Sequence, residues 1–462
     1  MKRSPLLILA ITLFIDLLGF GLILPLLPVY ITHYGGKAWV GGALLACFSL
    51  MQFIFSPIWG RVSDRRGRRP MILLSLCGSA ISFLAFGLAP NLLVLFVARV
   101  AAGILSAASL PTAQAYIADV TPPDRRAGGM AVLGAAFGLG FALGPAIGGY
   151  VSNFSILGSP PLATPSYVAA TLCLLNFIWA YFMLPESHFP DRSPEAQEKA
   201  GGGKSVLDVF PAIARALRSP AVSAQLTVFA FATFAFTAVE SSFSWLIVLR
   251  FHNEIQASAI AAWQASHPGR LFGALAPQMQ RALVEKSQAA ATSHIFLIVG
   301  LTTLVVQGAV IGGLSRRVGE NRMVMFGAAL LTLTLVGIGL SHSLPMIGIL
   351  SACIAIGNGV MNPSLNALIT QSAGPQERGL LSGAQQGLGS LARIIAPPIN
   401  NSLVMIHPGI PFFSSSVLMS VAFWLSLRLK PLLKVGPGSD EGPQLPPTGA
   451  QPVRSPGELP HP

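Results

Sequence analysis

The sequence predicts an all-α membrane protein: twelve transmembrane helices arranged as two pseudo-symmetric six-helix bundles. Two observations carry this expectation. Hydrophobic residues make up 52% of the 462 and charged residues only 10%, whereas a soluble domain carries about 25% charged residues. The chain also repeats itself. A dense basic hairpin, Gly60, Arg61, Val62, Ser63, Asp64, Arg65, Arg66, Gly67, Arg68, Arg69, Pro70, returns in fainter form 252 residues later as Gly312, Gly313, Leu314, Ser315, Arg316, Arg317, Val318, Gly319, Glu320. The same offset pairs Pro111 with Pro363, Pro123 with Pro375, Arg126 with Arg378 and Pro145 with Pro397. Repeated halves, membrane spans and a short basic loop after the second span of each half point to a transporter.

The elements follow in order. Apolar stretches near 5–32, 38–60, 71–89, 92–118, 127–151 and 165–184 form the first half, residues 1–184. Each is long enough to cross roughly 30 Å of hydrocarbon as a helix. Residues 185–221 read as a polar cytoplasmic linker with Pro190, Pro194 and the run Gly201, Gly202, Gly203. Within it Val206, Leu207, Val209, Phe210, Ile213, Ala214 and Leu217 have helical apolar spacing, which predicts a short helix on the cytoplasmic surface. The second half, 222–430, carries stretches near 222–251, 294–314, 323–341, 344–370, 380–403 and 411–429. The tail 431–462 is rich in Pro and Gly and reads as disordered.

One feature breaks the symmetry. Glu240 to Gly312 spans 72 residues where Asp16 to Gly60 spans 44, so an external insertion falls at about 252–292. Leu271, Leu275, Met279 and Leu283 recur every four residues and predict an amphipathic helix there. A tolerated surface insertion and an external cap are both compatible with it.

The net charge of +12 does not point to nucleic acid. Of 29 Lys and Arg, 22 lie in the N-terminus, the even-numbered loops and the tail. Lys37, Arg250, Arg270, Arg281 and Lys286 lie on the other side, and Arg99 and Arg393 lie within spans. This is the positive-inside bias, so both termini are expected to be cytoplasmic, with the anionic inner leaflet as the partner of the excess charge. Cys47, Cys77, Cys173 and Cys353 all fall within spans without metal-ligand spacing. No cofactor or metal is implied. There is no nucleophile–base pair and no nucleotide loop, so an enzyme is not expected.

Four ionisable residues lie deep in spans: Asp16, Arg99, Glu240 and Arg393. Each is costly in hydrocarbon and needs a reason. A carboxylate that alternates between an apolar environment and a neighbouring guanidinium takes up and releases a proton. Asp16 and Glu240 are therefore proton-coupling candidates, with a fixed structural ion pair as the other reading. Span ten carries Asn358, Asn362 and Asn366 on one face, and Gln307, Gln385, Gln386, Asn400 and Asn401 add neutral polar groups in spans eight and eleven. Such groups must face protein or a watery cavity. Together with Arg393 they outline a substrate path, and interhelical hydrogen bonds are the competing explanation for each.

The pattern resembles the major facilitator superfamily, and within it the twelve-span drug:proton antiporters. Gly60, Asp64, Arg65, Gly67, Arg68 and Arg69 match the family's motif between spans two and three. Arg99 and Gly103 match the span-four motif, and Gly140, Gly144, Pro145, Gly148 and Gly149 match the span-five antiporter motif. Asp16, Gly19, Pro25 and Pro28 match the span-one signature of tetracycline-type exporters. The resemblance covers about residues 5–430. It implies the major facilitator fold and a gate in which Asp64 and Arg68 lock one half against the other. Inner-leaflet anchoring alone also accounts for that basic cluster. Gly140, Gly144 and Gly148 also read as a smooth groove for close helix packing, and Pro145 as a bend.

There are departures. Where the well-known tetracycline exporters carry an acid, a histidine and an acid in spans three, eight and nine, this chain has Ser82, Thr303 and Leu331. The Glu240 region and Leu388, Gly389, Ser390, Leu391, Ala392, Arg393 are similar instead to the tetracycline-transporter-like branch found in animals. That likeness implies organic anions, with Arg393 as counter-charge. The expected function is proton-coupled antiport of small amphiphilic organic compounds by alternating access. An uptake symporter and a non-transporting membrane receptor or scaffold are the alternatives. The expected partners are a small-molecule substrate, protons and the lipid bilayer. The chain is expected to be a multi-pass monomer in a bacterial inner or plasma membrane.

Overall fold

The computed structural model describes residues 5–122, 136, 139–140, 143–152, 154, 163–188, 209–217, 220–371 and 378–427. Among them the regular elements are all helical. The first half comprises α1 (Pro5–Ile23), α2 (Leu27–His33), α3 (Ala38–Arg66), α4 (Arg68–Gly87), α5 (Leu92–Ser106), α6 (Ser109–Val120), a helical stretch at 143–151 and α7 (Thr164–Met183). The second comprises α8 (Val209–Ala216), α9 (Pro220–Arg250), α10 (His252–Ser266), α11 (Pro277–Val305), α12 (Ile311–Val318), α13 (Glu320–Leu340), α14 (Leu344–Gln371), α15 (Arg378–Val404) and α16 (Ile410–Leu427). Ten helices among the described residues are long and apolar enough to cross a membrane. Of the other two expected spans, most of the fifth lies outside the described residues. The eleventh is α15, a 27-residue helix diluted by Gln385, Gln386, Arg393, Asn400 and Asn401. The middle of the predicted linker and the predicted disordered tail also lie outside them.

Several spans are built differently from the expectation, and backbone chemistry explains each case. Span one is not continuous: a 3₁₀ turn at Leu24–Leu26 separates α1 from α2. Pro25 and Pro28 sit in the first turns that follow each break, where a missing N–H is harmless. Span four divides at Ala107 and Ala108 into α5 and α6. Pro111 cannot donate to the Ala107 carbonyl, and the Ser56 hydroxyl donates to it instead at 3.4 Å. Span eight passes through a π-helical segment, Val306–Val310, before α12.

One expectation is corrected outright and a second is met only in part. The basic segment is not a hairpin loop. α3 stays helical through Arg66, and the reversal is made by Gly67 alone. Gly67 has φ +100°, and its repeat partner 252 residues on, Gly319, has φ +83° and separates α12 from α13. Left-handed backbone favours glycine at both. The helix expected in part of the insertion carries Met279 and Leu283 but does not extend back over Leu271 and Leu275. Leu271 and Leu275 flank a 3₁₀ turn at Phe272–Ala274, and α11 starts only at Pro277, whose missing N–H is harmless in a helix's first turn. Leu271 and Met279 are exposed. The insertion is a helical hairpin of α10 and the outer turns of α11, pinned by Trp263 against Phe272.

The halves meet at one end and part at the other. At the closed end, α3 packs along α15. A Cβ at Gly42 would lie 2.4 Å from the Pro397 carbonyl oxygen, and one at Gly41 3.4 Å from Asn401 Nδ2. α11 packs on the 24–26 turn, and α9 on α2. At the opposite end Asp64, Arg65 and Arg66 are exposed, and a Cβ at Gly60 or Gly383 would meet nothing within 4 Å.

Candidate functional site

In the first half, Asp16 sits on α1 and is half-buried. Its carboxylate accepts a hydrogen bond of 3.3 Å from the Ser109 hydroxyl, and Ser79 lies beside it. Ser109 is placed there by the α5–α6 break, and Ser79 by α4. Among the described residues no cation pairs with Asp16 within 4.0 Å. Neutral hydroxyl partners leave its charge uncompensated, which is what an exchangeable site requires.

Arg99 lies elsewhere in the same half. It is 3% exposed, and its guanidinium sits 4.9 Å from the Phe86 ring centre, 5.8 Å from Phe20 and 5.9 Å from Phe48. Nε and one terminal nitrogen have no hydrogen-bond partner among the described residues. Three ring faces supply its main electrostatic compensation. Gly103, one turn on, allows the contact between α5 and α3: a Cβ there would approach the Phe48 carbonyl to 2.6 Å.

In the second half, Glu240 of α9 lines a small cavity with Phe236, Phe243, Phe296, Val299, Ser351 and Ile354. Arg393 of α15 lies within its electrostatic reach but forms no ion pair within 4.0 Å. The Arg393 guanidinium donates weakly to the Ser390 hydroxyl at 3.4 Å. The pair is thus adjacent and unlocked. Along α14, Asn362 donates to Asn358 Oδ1 at 2.7 Å, and Gln385 of α15 donates to Asn366 Oδ1. The expected polar face therefore forms, with Asn366 exposed and Asn358 and Asn362 half-buried. Gln307 lies in the π-helical segment and is exposed.

The basic segment is organised around Arg68, which is 8% exposed. Its guanidinium donates to Asp64, to Ser63 Oγ at 3.2 Å and to Asp119 Oδ2 at 3.1 Å. Glu186, just beyond α7, accepts from the backbone N–H of Arg68 at 2.8 Å, and also from those of Arg69, Ser187 and His188. A carboxylate on the first turn of α4 compensates its unpaired N–H groups and its dipole. Arg69 lies over the Tyr181 ring and donates to the Tyr181 carbonyl oxygen, and Arg65 is exposed. All these bonds stay within the first half. Asp119 and Glu186 were not legible in the sequence as members of this cluster. Their only signal is their place at the ends of spans four and six that lie on the same side as the basic segment.

The span-five glycines divide their work. A Cβ at Gly140 would lie 2.7 Å from Leu17 Cβ, one at Gly144 2.7 Å from Gly21 Cα, and one at Gly148 2.1 Å from the Leu22 carbonyl oxygen. These three, with Pro145 beside Gly21, fit the stretch tightly to α1. Gly149 faces the other half, where a Cβ would overlap Ser293 of α11. At the positions that differ from tetracycline exporters, Ser82 and Leu331 are buried, and the Thr303 hydroxyl is taken up by the Val299 carbonyl oxygen.

Comparison with known proteins agrees with this arrangement. The family model described as Major Facilitator Superfamily matches residues 9–397 and 270–457. The chain is 28% identical to Multidrug resistance protein 1 of Bacillus subtilis (strain 168) over 431 residues, 93% of this chain and 97% of the relative. It is 29% identical to the class E tetracycline resistance protein of Escherichia coli over 400 residues, 86% of this chain and 87% of the relative. Among solved structures, the human organic anion transporter MFSD10 (TETRAN) superposes with a TM-score of 0.64 at 24% identity, covering 92% of this chain and 100% of that one. A mutant of the nucleoside transporter NupG gives 0.66 at 12% identity, covering 93% and 100%.

Proposed function

We propose that this chain, which belongs to the major facilitator superfamily, is a proton-coupled exporter of small amphiphilic organic compounds. Membership makes it a multi-pass membrane transporter. Relatives named as multidrug and tetracycline resistance proteins support the efflux direction. The observation that carries proton coupling is Asp16: a carboxylate inside a membrane bundle, held among the described residues by hydroxyls and without a fixed cation. Glu240, beside an unlocked Arg393, is the corresponding group of the second half.

Alternating access follows from the inter-half contacts. The closed end is sealed by backbone-to-backbone approach of α3 to α15 and by Gly149 against Ser293. With both termini cytoplasmic, that end is external and the structure is open inward. Substrate enters past Asn366 and Gln385 and reaches Arg393, Asn362 and the Gln307 segment. Its binding and the exchange of protons at the carboxylates bias the equilibrium between the two closures. Asp64 and Arg68, bonded within their own half here, are free to engage the second half when the inner end closes. The separation of the halves at 1–184 and 222–430 supplies the two rigid bodies. Tetracycline itself is outside the proposed substrates, because the three positions named above carry no charge.

The test is substrate-induced pH change inside proteoliposomes, with amphiphilic cations, anions and neutral compounds added in turn. Proton movement opposite to at least one compound is expected. Substrate flux with no proton movement at any imposed pH gradient would remove the coupling.

A further inference from the structure

At the closed end, a polar side chain of the second half is only half satisfied. Asn401 of α15 is fully buried. Its Oδ1 accepts a hydrogen bond of 2.9 Å from the Ser242 hydroxyl of α9, which orients the amide. Its Nδ2 has no hydrogen-bond partner among the described residues. A buried donor left unpaired is costly, and native structures keep few of them. The Gly149–Ser293 contact repeats the pattern on another helix. Ser293 Oγ is buried, has no partner among the described residues, and faces a glycine of the first half.

Asn401 Nδ2 is aimed across the boundary between the halves. It lies 3.4 Å from the point where a Cβ on Gly41 of α3 would stand, and Trp245 Nε1 of α9 lies 3.4 Å from the same point. Both nitrogens are donors, so neither satisfies the other. Ile31 of α2 sets a methyl group 2.8 Å from that point. The first half thus covers two donors of the second with apolar atoms. Two donors that converge on one point from two helices of one half form a receptor for a single acceptor atom. The usual N–H···O distance is about 2.9–3.0 Å, so an oxygen a few tenths of an ångström nearer than that point accepts from both once Gly41 withdraws. The donors are neutral and their neighbour is a methyl group, which suits a carbonyl or ether oxygen on an apolar frame. Asn401 lies eight residues beyond Arg393 on the same helix, about 12 Å nearer the closed end at 1.5 Å per residue. The receptor is therefore separate from the path around Arg393.

We propose that Asn401 and Trp245 form an external release site for an uncharged carbonyl or ether oxygen of the substrate, covered by Gly41 in this closure and bared when α3 leaves α15. The proposal rests on the alternating-access reading above. Ser242 is a positioning residue: it holds the Asn401 amide so that Nδ2 faces the boundary. An acceptor bound there favours the externally open form, because the two donors are reachable only in that form. Glycine at 41 lets the same surface close again after release.

The experiment uses the full chain in lipid nanodiscs with the seal held apart at its other contact. Gly149→Leu does this, because even a Cβ there overlaps Ser293, and Gly42→Leu is a second route. Spin-label distances between α2 and α10 report the opening, and thermal melting confirms the fold. The probe is carbonyl-labelled benzophenone, a single acceptor oxygen between two rings, with diphenylmethane as the analogue lacking that oxygen. In the opened protein a saturable fraction of benzophenone should show its C=O infrared band below that of probe dissolved in lipid. In the same background Asn401→Leu and Trp245→Phe should each weaken benzophenone binding about tenfold and remove most of the band shift. Ser242→Ala should weaken it by a smaller factor. Diphenylmethane binding should be the same in all of them. Equal benzophenone binding and band position in every variant overturns the site. Equal weakening for both probes also overturns it, because it shows that the side chains only shape the fold. So does the lack of any saturable binding once the seal is open. Unchanged distances in both folded glycine variants remove the alternating-access reading of this seal, and the site with it.

Discussion

Asp16 and Glu240 show how much the identity of the neighbours decides. Both are carboxylates inside a bundle, yet one is held by serines and the other faces an arginine that stops short of pairing. Asp16→Asn keeps the Ser109 hydrogen bond and the side-chain volume, so the fold should survive. Proton-driven accumulation should vanish, while substrate counterflow, which needs no net proton movement, persists. Uphill transport at the wild-type rate in this mutant would take Asp16 out of the mechanism. Arg393 discriminates differently. If Glu240 depends on it, Arg393→Ala strands a buried acid and lowers expression, and adding Glu240→Gln restores part of it. If Arg393 meets substrate, the single mutant expresses normally and loses anionic compounds selectively. Wild-type behaviour of Arg393→Ala toward every compound contradicts both roles.

Among the elements, the α3–α4 turn and its repeat at α12–α13 provide an internal control. Both Gly67 and Gly319 combine positive φ with extended ψ, so alanine strains each backbone by about 1–3 kcal/mol. Only at Gly67 does the added Cβ strike something: Glu186, at 2.5 Å. That carboxylate cannot easily retreat, because backbone amides of α4 and of its own segment hold it. Gly67→Ala should therefore lower thermal stability in detergent more than Gly319→Ala does. Glu186→Ala should cost about 1 kcal/mol by removing the cap and should bring the two glycine mutants level. Equal melting of Gly67→Ala and Gly319→Ala in the wild-type background would show that the Glu186 contact carries no energy. The asymmetry has a chemical origin. The position equivalent to Arg68 is Glu320, so the second turn has the reversal without the arginine hub.

At the scale of the molecule, the closed end depends on residues too small to obstruct it. Gly42→Ala places a Cβ 2.4 Å from the Pro397 carbonyl oxygen, and that oxygen belongs to a helix backbone of the opposite half. Overpacking of this kind costs about 1–3 kcal/mol, and about 1.4 kcal/mol shifts a two-state population tenfold. Gly42→Ala and Gly149→Ala should each move the protein toward the opposite closure. Distances between spin labels placed on α2 and α10 would report it, lengthening in both mutants. Unchanged distances would mean that the seal yields by sliding rather than opening.

Much of this architecture was legible beforehand because membrane insertion acts on local chemistry. A run of about 20 apolar residues must become a helix in hydrocarbon, whatever its neighbours are. Thus composition, span order and the 252-residue repeat determined the fold class. The cost of burying charge singled out Asp16, Arg99, Glu240 and Arg393. The spacing of Asn358, Asn362 and Asn366 determined that they share a face. What those groups touch depends on contacts between residues far apart in the chain, and only the tertiary structure decided it. Ser109 reached Asp16, three phenylalanine rings enclosed Arg99, Asp119 and Glu186 joined Arg68, and the helix of the insertion broke before Pro277. Apolar periodicity records which side of a helix avoids water, but it carries no record of which distant helix covers that side.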